Sequence, residues 1–152
     1  MKARLLLLAL ACVIAVCDRA GIAGDAPKAG NEVREEMKRL EGEWKVVAAE
    51  MDGAAVESKT VVKFAGGKCI LTESDPGLPT LELAVVLDPG KEPKWMDVTN
   101  LLKKTHRGIY ELKGDTLKAV FRPDEKGERP TEFKTKKGSG LIMYTYERVK
   151  AK

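Results

Sequence analysis

The sequence predicts an all-β protein: an antiparallel up-and-down barrel of eight to nine short strands, preceded by one short helix. Three observations carry this. Past residue 42 the chain shows short stretches of mixed apolar and polar residues, separated at regular spacing by turn residues. The run Arg107–Arg122 is two such stretches around a Lys113-Gly114-Asp115 corner. The only helical pattern in the domain is short and comes first, so nothing else is available to cover a sheet.

The elements follow in order. Residues 1–23 read as an export leader: Lys2 and Arg4 give a positive start, Leu5–Val16 is an unbroken apolar run, and small residues follow at Ala20, Gly21 and Ala23. The run is too short to anchor the chain across a bilayer. Cleavage after Ala23 fits the small-residue rule, and cleavage after Ala20 leaves Asp18 where a small residue is wanted. The expected location is exported: periplasm, cell envelope or extracellular. A lipid anchor at Cys17 is the minority alternative, because Val16 stands where a small residue is needed. Residues 24–30 are expected to be a flexible tether, and 31–152 the folded domain. Asn31–Leu40 has a capping residue, early acids, late bases and a Val33, Met37, Leu40 stripe, which predicts a short helix lying against the body.

Strands are expected at 43–51, 60–65, 68–73, 80–87, 95–99, 107–113, 116–122, 131–135 and 141–149. Gly66-Gly67 between Val61–Phe64 and Cys69–Thr72 predicts a two-residue hairpin turn, where positive φ favours glycine. Asp52-Gly53, Asp75-Pro76-Gly77, Asp88-Pro89-Gly90 and Lys137–Gly140 punctuate the rest. Such strands build a sandwich or a barrel. Closure is preferred, because one sheet without helices must bury a face on itself and hide its edges.

Charge and composition exclude several functions. The chain has 27 Lys+Arg against 23 Asp+Glu, a surplus of 4. Without residues 1–23 the balance is 24 against 22, which gives no basic footprint for nucleic acid. Past the leader only Cys69 remains, so no internal disulfide forms, and a buried apolar role is expected of it. His106, the only histidine, has no partners for a metal site and reads as a solvated loop residue. No nucleophile motif or phosphate loop is present; Gly138-Ser139-Gly140 reads as a turn. No catalytic residue, metal or cofactor is predicted, and the membrane enters only through the export signal or an anchor. Arg129 either recognises an anion at a barrel mouth or pairs with a neighbouring carboxylate. The structural reading is preferred, with Pro130 opening a strand and Phe133 entering the core.

Gly42-Glu43-Trp44 opens the first strand and Tyr144-Thr145-Tyr146-Glu147-Arg148 closes the last. These segments resemble the lipocalins, in which a Gly-x-Trp on the first strand lies beneath an arginine from the end of the barrel. The resemblance implies a Trp44–Arg148 cation–π pair at the closed end. The chain lacks the family's Thr-Asp-Tyr loop and disulfide. Five ordered blocks also resemble an uncharacterised family of small, often exported planctomycete domains: Leu40–Trp44, Glu50–Gly53, Leu87–Pro89 with Pro93-Lys94, Gly108–Lys118 and Arg129–Phe133. That resemblance implies no activity.

If Arg148 points inward, alternation sends Tyr146, Tyr144 and Ile142 inward, and Trp44 brings Val46 and Ala48. Trp44, Val46, Tyr144, Tyr146 and Arg148 are therefore the candidate ligand-binding residues. They suit the wall of a site for a small apolar or amphipathic ligand, and equally a filled core. The alternative function is an envelope interaction or structural module with a filled barrel. An interior cavity above roughly 300 Å³ would favour binding.

Overall fold

A computed structural model of the chain describes residues 26–73 and 79–150. The leader, Cys12, Cys17, Ser74 and the Asp75-Pro76-Gly77 turn lie outside them. Helix α1 (Ala26–Leu40) is followed by β1 (Gly42–Met51), β2 (Ala54–Val56), β3 (Thr60–Ala65), β4 (Lys68–Glu73) and β5 (Leu81–Asp88). Then come β6 (Lys94–Thr99), β7 (Thr105–Lys113), β8 (Thr116–Arg122) and β9 (Ile142–Arg148). Neighbouring strands pair antiparallel in the order β1-β3-β4-β5-β6-β7-β8-β9, and β9 returns to pair with β1. Eight strands thus form a closed lipocalin-like barrel, and β2 is a short ninth strand on the outer part of β1.

The hairpins form where backbone chemistry allows. Gly66 and Gly67 have φ of 56° and 77°, and Asp52 and Gly53 have 51° and 79°. Positive φ at both central residues is the hairpin turn whose twist matches the flanking strands. At the second turn the chain doubles back to make β2, which the sequence pattern did not anticipate.

The barrel wall alternates as strands must. Val62 and Phe64, Val85 and Leu87, Met96 and Val98, Tyr110 and Leu112, and Leu117 and Ala119 enter one continuous core with Trp44 and Tyr146. On β7 the same face carries Gly108, which is paired with Phe121. A Cβ there would meet the Phe121 ring at 2.5 Å and the Val120 carbonyl at 2.7 Å. Glycine at 108 is what lets the Phe121 ring lie across β7.

Four expectations change. The helix starts at Ala26, not Asn31, so most of the expected tether is helical and Asn31 is not its cap. The strand expected at 131–135 does not form. β8 pairs with β9 from Thr116 with Glu147 through Phe121 with Ile142. Barrel closure leaves no free edge for another strand there. Ala48 is exposed and Ala49 buried, because the β1–β9 register slips between Val46 and Ala48. A bulge of one residue sends every later side chain to the other face. His106 stands on β7 rather than in a loop.

Residues 123–141 instead form an irregular strap over the barrel's outside. Arg129 anchors it: one guanidinium nitrogen donates to Asp97 Oδ2 at 2.9 Å and the other to the Gly108 carbonyl at 2.6 Å. The same guanidinium lies 4.2 Å from the Trp95 ring centroid. The expected pairing of Arg129 with a carboxylate is present, with Pro130 buried beside it and Phe133 half-buried. Further along, the Thr135 hydroxyl donates to Glu50, and Gly140 N–H donates to Asp52 Oδ1 at 2.7 Å.

Substituting valine for Gly108 will cost about 2–3 kcal/mol of stability in urea unfolding, through overpacking against Phe121. Adding Phe121→Ala should recover part of that loss, which identifies the ring as the obstacle.

Candidate functional site: the barrel interior

Two ends of the barrel differ in chemistry. The end bearing α1 is shut. A helix leaves its last four carbonyls without intrahelical donors, and here all four are supplied. Glu41 N–H reaches both the Met37 and Lys38 carbonyls, at 3.1 and 3.2 Å. Arg148 donates to the Arg39 carbonyl at 2.6 Å, and Trp44 Nε1 donates to the Leu40 carbonyl at 2.8 Å. Arg148 also donates to the Glu41 carbonyl at 2.6 Å while its guanidinium lies 4.2 Å from the Trp44 ring centroid. Gly42, at φ 119°, completes the fit, since a Cβ there would sit 3.1 Å from the guanidinium. Helix α1 is further clamped by buried Glu36, which takes Lys94 of β6 at 2.6 Å and Arg39 at 3.0 Å.

The interior beyond this plug holds a cavity of about 240 Å³. Its wall is mostly hydrocarbon: Val62 and Phe64 of β3, Leu71 of β4, Leu83 of β5, Met96 and Val98 of β6, and Leu117, Ala119 and Phe121 of β8. Ile142, Tyr144 and Tyr146 supply the β9 side, with Cys69 and His106 completing the lining. Leu83, Val98, His106, Phe121 and Ile142 all lie toward the strand ends remote from α1, so the space runs away from the plug.

Of the five candidate residues, Tyr144 and Tyr146 line this cavity. Trp44 and Arg148 meet each other, as the lipocalin resemblance implies, but they close the helix end and do not line the space. Val46 packs against the core outside the cavity wall. His106 belongs to the lining and was missed. The signal was available: counting back by twos from Tyr110 through Gly108 reaches 106 on the same face. The strand begins two residues earlier than turn chemistry suggested, at Thr105.

Polar atoms in the cavity are few. The Tyr144 and Tyr146 rings are 5.7 Å apart. Burial raises the ionisation of both phenols, so they are neutral donors at physiological pH. Burial likewise pushes the Cys69 thiol up, from an ordinary value near 9 to about 12. A thiol in this environment is a poor nucleophile. Among the described residues no group of three or more His, Cys, Asp or Glu is placed to hold a metal ion.

In comparisons with known proteins, no family model, curated protein or solved structure matches the chain.

Because Cys69 ionises near 12 when folded and near 9 when unfolded, the native state binds more protons across that interval. Its contribution to stability is complete below pH 9 and falls as pH rises toward 12; the raised Tyr144 and Tyr146 act in the same direction. Thermal melts should therefore show a Tm that declines above about pH 9, more gently in Cys69→Ala. At pH 8 a disulfide reagent should label Cys69 only on addition of denaturant.

Proposed function

We propose that this chain is an exported carrier that takes one small, mainly apolar molecule into the interior of its lipocalin-like barrel. The observation that carries the reading is the cavity: an apolar-lined space within an otherwise packed core, adjoining the end opposite the plug. Its size sets the ligand class. About 240 Å³ is below the ~300 Å³ where pockets for drug-sized molecules begin. It exceeds the ~150 Å³ of a dry cavity that accepts benzene. A single- or fused-ring aromatic, or a short alkyl chain, matches this space; a long-chain lipid does not. Neutral phenols at Tyr144 and Tyr146 favour a ligand with one hydrogen-bond acceptor.

Export rests on the reading of residues 1–23 as a leader, and the five ordered sequence blocks support grouping the chain with the small planctomycete domains. The shortfall from ~300 Å³ favours a second reading, an envelope module whose barrel is simply filled. Trp44 and Arg148 serve architecture under either reading.

Native mass spectrometry of protein purified from its own source should show a co-purifying molecule of up to about ten heavy atoms, the scale the cavity volume permits. Calorimetric titration with indole should show binding that Ala119→Leu removes by filling the cavity, with the β-rich circular dichroism unchanged. A protein that carries nothing and ignores indole and short-chain alcohols is the filled module.

A further inference from the structure

The β6–β7 connection presents leucines where a turn ordinarily presents polar residues. Asn100 to Lys103 is a closed turn: Lys103 N–H donates to the Asn100 carbonyl at 2.9 Å. Asn100 N–H donates to the Lys104 carbonyl at 3.0 Å, and Lys104 N–H donates to Asn100 Oδ1 at 3.0 Å. Just below, the Thr99 and Thr105 hydroxyls bond across the hairpin at 2.8 Å, and Thr105 N–H is held by Glu125. Lys103 adopts φ 61° to complete the turn. Leu101 and Leu102 therefore occupy its two central positions, 84% and 79% exposed. Gly, Pro, Asn, Asp and Ser dominate such positions for conformational reasons that leucine does not share. Hydrogen bonding fixes the backbone of this apex, and both leucines stand out from it into solvent.

We infer that this apex is a membrane-docking wedge, with Leu101 and Leu102 entering the acyl boundary of an anionic lipid surface and Lys103 and Lys104 meeting its headgroups. Charge complementarity selects the occupant. Lys103, Lys104 and Arg107 are exposed within a few residues of the leucines. Glu125 accepts from the Thr105 amide and keeps its charge, so these three bases outnumber the one carboxylate hydrogen-bonded to residues 99–105. Binding at a lipid surface scales with the apolar area inserted plus the attraction of basic residues to anionic headgroups, and this apex offers both. A protein partner fits less well, since two side chains on a protruding apex fall far short of the ~1,200 Å² that stable protein interfaces bury. The wedge lies at the barrel end opposite α1, the end toward which the cavity runs. The inference rests on the surface alone and stands or falls independently of the carrier reading.

The test reads the apex itself, so that anything residues 1–25 contribute to vesicle binding is common to every variant. Hydrogen exchange of the full chain is followed with and without phosphatidylglycerol vesicles, and with phosphatidylcholine vesicles for comparison. Protection of residues 100–104 should rise with the anionic vesicles, and fade as salt approaches ~0.5 M and screens the lysines. Leu101→Ser with Leu102→Ser should weaken the apex interaction by about tenfold or more. Lys103→Asn with Lys104→Gln should lower it severalfold and flatten its salt dependence. Val86→Ser, at an exposed apolar position on the β5 wall, should behave as the parent does. Absence of protection at 100–104, equal protection in the double serine variant, or a concentration-dependent dimer that this variant abolishes, would each overturn the proposal.

Discussion

The structure depends on a single junction in which the guanidinium of Arg148 caps one helix and closes one barrel. An α-helix ends with carbonyls that must find donors. In this chain the donors come from the first strand through Trp44 and from the last through Arg148. Two segments more than a hundred residues apart are therefore brought to the same place by the same unsatisfied groups. Once they meet, the β1–β9 ladder can form from Trp44 with Arg148 to Met51 with Ile142. The indole beneath the guanidinium adds the attraction of its ring face.

Closure has consequences around the wall. With every long strand paired on both sides, a further segment can only lie on the barrel as a strap, and residues 123–141 do so. Arg129 repeats on the outside the chemistry of Arg148 on the plug: a guanidinium stacked on an indole, donating to backbone, with a carboxylate beside it. The second junction hides an outer-wall patch, since Ile109 and Val120 are fully buried yet stand outside the interior cluster. The plug and the strap leave the barrel interior as an apolar space not committed to architecture.

Much of this was legible in the sequence, for identifiable reasons. Glycine pairs with obligatory positive φ, such as Gly66-Gly67, announce a hairpin locally, and eight of the nine expected strands lie where turn chemistry placed them. Trp44 and Arg148 were found by resemblance, and no local signal would have paired them. What escaped depends on the whole assembly. The bulge between Val46 and Ala48 arises from fitting β1 against β9, so simple alternation sent Ala48 inward instead of Ala49. Residues 131–135 have strand-like composition, but the edge they would need is already taken by β9. His106 was obscured by the lysines before it, although the β7 alternation points to it. A cavity is a property of packing, and no residue pattern discloses whether tyrosines on β9 line a space or fill it.

The helix-end junction is tested most directly by a double-mutant cycle in urea unfolding, using Arg148→Met, Trp44→Phe and the pair. Each single change should destabilise the protein by about 2 kcal/mol or more, through carbonyls left without donors. Because the guanidinium and the indole act on the same helix end, the pair should be less costly than the sum by on the order of 1 kcal/mol. Strictly additive losses, or an Arg148→Met protein as stable as the parent, would contradict the account.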